Sequence, residues 1–262
     1  MADDSVPHVW IVGSSIIRRL YAHVCEPGLD RSLGLRCKVI WEGRGGRLWE
    51  QLLPVHRFLR AKAPAPEILI IHLGGNSLCR EGRNRLDFLR EMKTDLAEVF
   101  RMFPRTRLLF SFILSRLHWR GQTARSAYCV ERSRRWLNGA ISGFLAKRQM
   151  RCIRHSNIDL SHLTRDGVHL SPEGNELLLS NLREALQILQ RRTQLGQFHR
   201  ILQELRLDDG WFQRYFRLSR SQFDELLSRV GGRISLQDTN YRRSIPPAER
   251  LSIYLQLYAG FS

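Results

Sequence analysis

Short apolar runs alternate with longer amphipathic stretches over most of this chain. Runs rich in Val, Ile and Leu without polar alternation are typical of strands buried on both faces. They predict strands at residues 8–13, 36–41, 67–74, 106–113 and 150–154. The stretches between and after them predict helices at residues 14–24, 47–60, 85–103, 126–149 and 172–192. This alternation predicts an α/β fold built on a mostly parallel sheet.

The pattern changes after Arg192, where strand-like runs stop. Short helices are predicted at residues 197–206, 210–216, 219–230 and 247–258. Phe223, Leu226 and Val230 recur at helical spacing and indicate one buried face. The sequence therefore predicts two domains, an α/β domain over 8–192 and a small all-helical segment over 196–262.

Composition places the chain among globular proteins. Of its 262 residues 43% are hydrophobic and 26% are charged, which excludes a disordered chain, a collagen-like chain and a coiled-coil rod. No apolar run reaches the length of a membrane span, and the first residues are acidic where a secretory signal is basic. We therefore expect an intracellular protein, cytoplasmic or nuclear, without a signal peptide or a membrane span. The five scattered cysteines form neither a zinc motif nor a disulfide framework.

The chain is strongly basic, with 42 Lys and Arg against 25 Asp and Glu and a net charge of +17. Residues 1–195 hold 32 of these cations and 18 of the acids, so the excess lies mainly in the α/β part. Such a charge attracts nucleic acid, anionic lipid or acidic substrates. Five arginines are candidate phosphate contacts, although arginines on exposed helix faces are by default solvated: Arg132, Arg134, Arg135, Arg191 and Arg192.

Four short segments in loops of the α/β part contain residue types that could take part in a reaction. They are Val12-Gly13-Ser14-Ser15, Gly43-Arg44-Gly45-Gly46, Gly74-Gly75-Asn76-Ser77 and Asp166-Gly167-Val168-His169. The first three follow predicted strands, where open parallel sheets place their sites. A serine at a helix start lies near backbone N–H groups, and an asparagine amide is a further donor. An Asp three residues before a His can fix the imidazole tautomer.

The order of these segments resembles the SGNH hydrolases, also called the GDSL-like lipase/esterase family, over about residues 8–190. The resemblance implies a three-layer α/β/α flavodoxin-like sandwich of about five parallel strands. It implies cleavage of a carboxylic ester or acetyl group in a small substrate, without a metal or cofactor. Ser15 would be the nucleophile, His169 the general base and Asp166 the group that orients His169.

The resemblance also implies an oxyanion hole. Its donors would be the backbone N–H of Ser15, the side chain of Asn76 and the backbone N–H of Gly46, with Gly45 and Gly43 as alternatives. The sequence departs from the family twice, because Ser14 and Ser77 stand where the family usually has Asp. The alternative hypothesis is therefore a catalytically silent scaffold of mobile-element origin that binds nucleic acid or a protein partner.

Two further interpretations concern histidines. A helix over residues 155–169 would align a potential metal-binding set: His155, Asp159, His162, Asp166 and His169. Asn157, Ser161, Thr164 and Gly167 disfavour that helix, so we expect no metal site. His72 lies within an apolar run and is interpreted as a core or sheet-edge histidine.

The C-terminal segment has a resemblance of its own. The stretches 205–208, 211–219, 223–227 and 245–251 resemble the N-terminal helical region of Harbinger transposase-derived nucleases. In that family the helices precede a metal-dependent DDE nuclease domain, which this sequence lacks. The resemblance implies a helical bundle, with contact to DNA or protein as the functional alternative.

Overall fold

The computed structural model describes residues 6–80, 82–119, 124–235 and 245–259. Five strands occur in chain order: β1 His8–Gly13, β2 Lys38–Gly43, β3 Ile68–His72, β4 Arg107–Ser111 and β5 Arg151–Ile153. The helices are α1 Ser15–Val24, α2 Leu52–Lys62, α3 Gly75–Leu78, α4 Arg85–Met102, α5 Ala124–Ala146, α6 Pro172–Leu205, α7 Asp209–Phe216, α8 Arg220–Ile234 and α9 Pro247–Ala259. Two 3-10 turns, Trp49–Gln51 and Leu160–His162, complete the described elements.

The strands form one parallel sheet in the order β2-β1-β3-β4-β5. In the register of β1, Gly13 pairs with Gly43 on one side and with His72 on the other. The connection from β1 leads to β2 on one side of β1, and the connection from β2 crosses back to β3 on the other side. Such a switch point is where flavodoxin-like sheets bind their ligands.

Helices cover both faces of the sheet. Trp10, Leu69 and Phe110 share a core with α2, α4 and α5, whereas the alternate residues Val9 and Ile70 are buried on the opposite face. On that second face α1 packs against β1 and β2. A contact of 2.6 Å between His23 Nε2 and Glu176 Oε1 joins α1 to the first part of α6. The three-layer α/β/α arrangement expected from the sequence is confirmed.

Chain contacts divide the molecule into two compact units, one up to Ala185 and the other from Leu186 onwards, so the division falls inside α6. In the second unit Phe212, Phe216, Phe223 and Leu251 form a buried cluster. In the described residues of this unit, every secondary-structure element is a helix. The domain limits drawn from the sequence, 8–192 and 196–262, stay a proposal.

The structure has one long helix, α6, where the sequence predicts two helices at 172–192 and 197–206. Gly196 costs a helix only about 1 kcal/mol relative to Ala, and no proline lies between Pro172 and Pro246. The prediction of an interruption was wrong because a change in composition does not by itself break a helix.

The helix predicted at 47–60 begins later than expected, since α2 starts at Leu52 after the 3-10 turn. The short helix α3 was not predicted. Both differences lie at the carboxyl edge of the sheet, where loop residues are held by contacts to other loops rather than by local propensity.

In the described part of the chain, no helix combines the length and the apolar character that crossing a membrane requires. The five cysteines are free thiols.

Candidate active site

The site begins at the tight connection between β1 and α1. A Cβ on Gly13 would lie 2.3 Å from Ile17 Cγ1 and 2.7 Å from the His72 carbonyl oxygen. A Cβ on Gly43 would lie 2.3 Å from the Arg18 backbone nitrogen. Both glycines therefore let the first turn of α1 approach the ends of the strands. A glycine is needed at position 43 because a side chain there would collide with the backbone of α1.

Ser15 is the first residue of α1, and Ser14 precedes it in an extended conformation. Ser15 Oγ lies 2.9 Å from His169 Nε2, and His169 Nδ1 lies 2.6 Å from Asp166 Oδ2. The structure thus joins the first and fourth segments into one Asp-His-Ser chain. These distances are those of hydrogen bonds, and a carboxylate, an imidazole and a hydroxyl in this order have the arrangement in which a base can activate a nucleophile.

A closed loop holds Asp166 and His169 in position. Leu163 and Leu170 form an antiparallel bridge, and the Thr164 N–H donates to the His169 carbonyl at 2.7 Å. Gly167 turns the loop with φ of +64°, a conformation that L residues rarely adopt. Its carbonyl accepts from the Leu117 N–H at 2.8 Å, so this loop also contacts the loop that follows β4.

Asp166 is held as a carboxylate. Burial by itself raises the pKa of Asp166, but hydrogen bonds from His169, from the Val168 N–H and from the Thr164 hydroxyl outweigh it, so the pKa lies well below its ordinary value. Arg19 adds a cation 3.8 Å from Asp166 Oδ2. The group facing His169 Nδ1 is therefore ionised at neutral pH, as an orienting carboxylate must be.

Asn76 lies in α3, beside the other loops. Its Nδ2 donates to the Arg47 carbonyl at 3.1 Å, and its Oδ1 accepts from Arg116 at 3.2 Å. An amide nitrogen carries two hydrogens, so one remains for a ligand. Gly46 is exposed in a turn that the Arg47 N–H closes by donating to the Arg44 carbonyl at 3.3 Å.

Arg47 is a functional-site residue that the sequence interpretation missed. Its side chain is buried and donates to the Gly13 carbonyl at 3.0 Å, to the Glu42 carbonyl at 2.6 Å and to the Glu42 carboxylate at 2.5 Å. Since its own carbonyl accepts from Asn76, one residue connects the ends of β1, β2 and β3. Its place directly after a glycine-rich loop is the signal that could have identified it.

The two serines that replace the family's aspartates have different surroundings. Ser77 is fully buried; its Oγ accepts from the Trp49 N–H at 2.7 Å and donates to the Glu50 carboxylate at 3.2 Å. Glu50 therefore supplies a carboxylate at this loop through Ser77. Ser14 is also buried but makes no side-chain capping bond to α1.

A polar network is buried next to the site. The Ser111 hydroxyl lies 2.8 Å from His72 Nδ1 and 2.8 Å from His155 Nε2. Burial lowers the pKa of His72 to about 3 and that of His155 to about 4, so both rings are neutral. His72 is thus a hydrogen-bonded buried histidine at the end of β3. Together with Ser14 and Arg116 it borders a cavity of about 10 Å³, roughly the space that one water molecule needs.

Residues 155–169 form no continuous helix, and the histidines and carboxylates considered for a metal are not brought together. His155 contacts Ser111, Asp159 pairs with His162, and His169 pairs with Asp166. Among the described residues no group of three such side chains could hold a metal ion.

The arginines proposed as solvated cations differ among themselves. Arg132 and Arg135 are exposed, but Arg134 is half-buried and donates to the Ile113 carbonyl at 2.7 Å and to Glu131. The default interpretation was wrong for Arg134, which ties α5 to the loop after β4. The side chains of Arg191 and Arg192 lie outside the described residues.

No family model matches the sequence, and no curated protein matches it significantly. Solved structures do match. A GDSL-like lipase from Bacteroides thetaiotaomicron is 17% identical, with a TM-score of 0.57 over 72% of this chain and 93% of that one. A carbohydrate esterase of family 3 from Talaromyces cellulolyticus is 15% identical, with a TM-score of 0.51 over 70% and 97%.

An acetyl esterase crystallised with acetate is 15% identical, with a TM-score of 0.53 over 71% of this chain and 99% of that chain. These comparisons support neither the resemblance of residues 196–262 to Harbinger nucleases nor nucleic-acid binding. At such identities they show the fold alone. The chain contains an α/β fold of the kind found in GDSL-like lipases and esterases.

Proposed function

We propose that the protein is a serine hydrolase that cleaves a carboxylic ester or an acetyl group of a small substrate. The observation that carries this proposal is the hydrogen-bonded chain from Asp166 through His169 to Ser15. Two further features support it: Ser15 lies at a helix N-terminus beside the switch point of the sheet, and Asn76 is held nearby by Arg47.

In the first half of the reaction, Ser15 Oγ attacks the carbonyl carbon while its proton passes to His169 Nε2. The ionised Asp166 stabilises the imidazolium that forms. The negative charge on the carbonyl oxygen is taken by the Ser15 N–H, the Gly46 N–H and the free hydrogen of the Asn76 amide. Collapse of this intermediate expels the alcohol, which takes the proton from His169 and leaves Ser15 acylated.

In the second half, His169 removes a proton from water, which attacks the acylated serine. The same donors hold the oxyanion, and the acid is released as Ser15 recovers its proton from His169.

A fluorophosphonate probe tests the proposal, because it reacts covalently with activated serines. The folded protein should be labelled, heat-denatured protein should not, and Ser15→Ala should abolish labelling. Ser228→Ala is the matched control, since Ser228 is an exposed serine on α8 whose hydroxyl donates to the Glu225 carbonyl. Absent labelling of folded protein, or undiminished labelling of Ser15→Ala, would refute the proposed function.

A further inference from the structure

Arg116 is a half-buried cation next to the proposed oxyanion hole. It lies in the loop after β4, and its guanidinium donates to Asn76 Oδ1 at 3.2 Å. The guanidinium also rests against the Gly75 backbone and lies 5.1 Å from the Trp119 ring centroid. The loop therefore presents this cation at the carboxyl edge of the sheet, between Asn76 and the loop of Asp166.

Most of the hydrogen-bond donors of Arg116 have no partner among the described residues. A guanidinium has five N–H donors, and the bond to Asn76 is its one hydrogen bond among the described residues. No carboxylate of those residues lies within ion-pair distance of it. Burial lowers the pKa of Arg116 from its ordinary value, while the more distant charge of Asp166 opposes this effect. A partly desolvated cation with free donors is suited to bind an anion.

Other cations near the site add to its attraction for anions. Exposed Arg18 lies beside Gly45, and exposed Arg19 lies near Asp166, whose own charge faces His169. Two arginines of α1 and one of the loop after β4 thus lie near the segments that hold Asp166 and Asn76. Positive potential of this kind attracts anionic substrates and repels cationic ones.

We propose that Arg116 binds a carboxylate on the acyl part of the substrate, so that the enzyme prefers half-esters of short dicarboxylic acids to neutral esters. The inference rests on the proposed function. The leaving alcohol must lie at His169 Nε2, which delivers its proton. Arg116 instead contacts Asn76, on the side of the carbonyl oxygen, which assigns the anion to the acyl part.

Two esters of equal length test this specificity. Monoethyl succinate carries a carboxylate where ethyl butanoate has a methyl group, and release of ethanol is measured for both. The native protein should favour the succinate ester in kcat/KM by about tenfold to a hundredfold, as expected for a charge-assisted hydrogen bond. This preference should weaken as salt is added.

Variants of Arg116 separate charge recognition from support of Asn76. Arg116→Gln should bring the ratio of the two kcat/KM values close to one, whereas Arg116→Lys should keep most of the preference. Arg101→Gln is the matched control, because Arg101 is exposed on α4 and its loss changes the net charge equally. An equal decrease for both esters in Arg116→Gln would make Arg116 a positioning residue only and overturn the inference.

The two proposals fail in different ways. If the probe labels Ser15 but the protein hydrolyses both esters equally, or neither of them, the specificity inference is wrong and the activated serine stands. If Ser15 is not labelled in folded protein, the proposed function fails as well.

Discussion

The two units of this chain use polar side chains in different ways. In the α/β unit, charged and polar groups are buried at the carboxyl edge of the sheet, where Arg47 joins three loops and Ser111 joins two histidines. In the helical unit the buried cluster is dominated by aromatic rings, such as Phe212 packed edge-on against Phe223. Its acids mainly cap helices or form exposed ion pairs.

This contrast shows where chemistry can arise in the molecule. Parallel strands end at a common edge, so loops distant in sequence bring their side chains together there. A small helical cluster has no such edge, and its stability depends on apolar burial. Positive net charge alone does not indicate which unit holds a reaction site, whereas the buried polar contacts point to the α/β unit.

The largest expected effect is a loss of activity in the α/β unit, and it is tested by replacing one Asp with Asn in each unit. Asp166→Asn should lower kcat by about 10⁴-fold, because a neutral amide neither fixes the tautomer of His169 nor stabilises its imidazolium. Asp224→Asn removes an exposed partner of Arg206 and should leave kcat unchanged and stability within about 1 kcal/mol. Steady-state kinetics and thermal melting measure both, and equal kinetic effects would contradict the contrast.

Removing an aromatic ring from the helical unit should affect stability and leave the site intact. Phe223 is fully buried, so Phe223→Ala should destabilise this unit by about 3 to 5 kcal/mol. Hydrogen exchange of α8 measures that loss, and fluorophosphonate labelling of Ser15 should persist. Loss of labelling in this variant would show that the two units do not act separately.

Asn76→Ala tests the oxyanion hole within the α/β unit. Loss of one such donor should reduce kcat by about a hundredfold to a thousandfold with a smaller change in KM. Asn84→Ala is the control, because Asn84 caps α4 by accepting from the Leu86 N–H at 2.8 Å. The control should lose about 1 kcal/mol of stability and keep its kcat. Equal kcat values for Asn76→Ala and native protein would exclude Asn76 from the hole.

The last prediction concerns acid, whose effect should be confined to the α/β unit. Burial lowers the pKa of His72 to about 3 and the pKa values of His56 and His155 to about 4. The unfolded histidines bind protons below about pH 6.5, whereas the folded ones do not until near pH 4. The free energy of unfolding should therefore fall as pH falls through this window, by up to about 1.4 kcal/mol per pH unit for each histidine.

Hydrogen exchange, corrected for the intrinsic effect of pH, measures this acid sensitivity in β3 and α8 separately. Protection of β3 should decline between pH 6.5 and pH 5 while that of α8 stays constant. His155→Gln should remove one of the three contributions and flatten the decline. A uniform loss of protection in both units would contradict the assignment.

The sequence singled out the residues of the proposed site but not all of their supports. Ser15, Asp166 and His169 belong to short segments whose residue types are recognisable without contacts, and the chain of hydrogen bonds found among them agrees with that interpretation. Arg47 and Arg116 were passed over, because each resembles the many solvated arginines of a chain with net charge +17. Burial and partners distinguish them, and neither property can be read from an isolated arginine.

Local pattern determined the strands and most helices, since hydrophobic periodicity and capping residues act over a few positions. It also predicted an α/β fold on a mostly parallel sheet, because buried apolar runs separated by helices are typical of a covered parallel sheet; the three layers were an expectation from the family resemblance. Only the tertiary structure decided that Ser77 reaches Glu50 and that Arg116 lies against Asn76. Those outcomes depend on contacts between loops far apart in the chain, and the energy of such contacts exists only once the sheet has brought the loops to one edge.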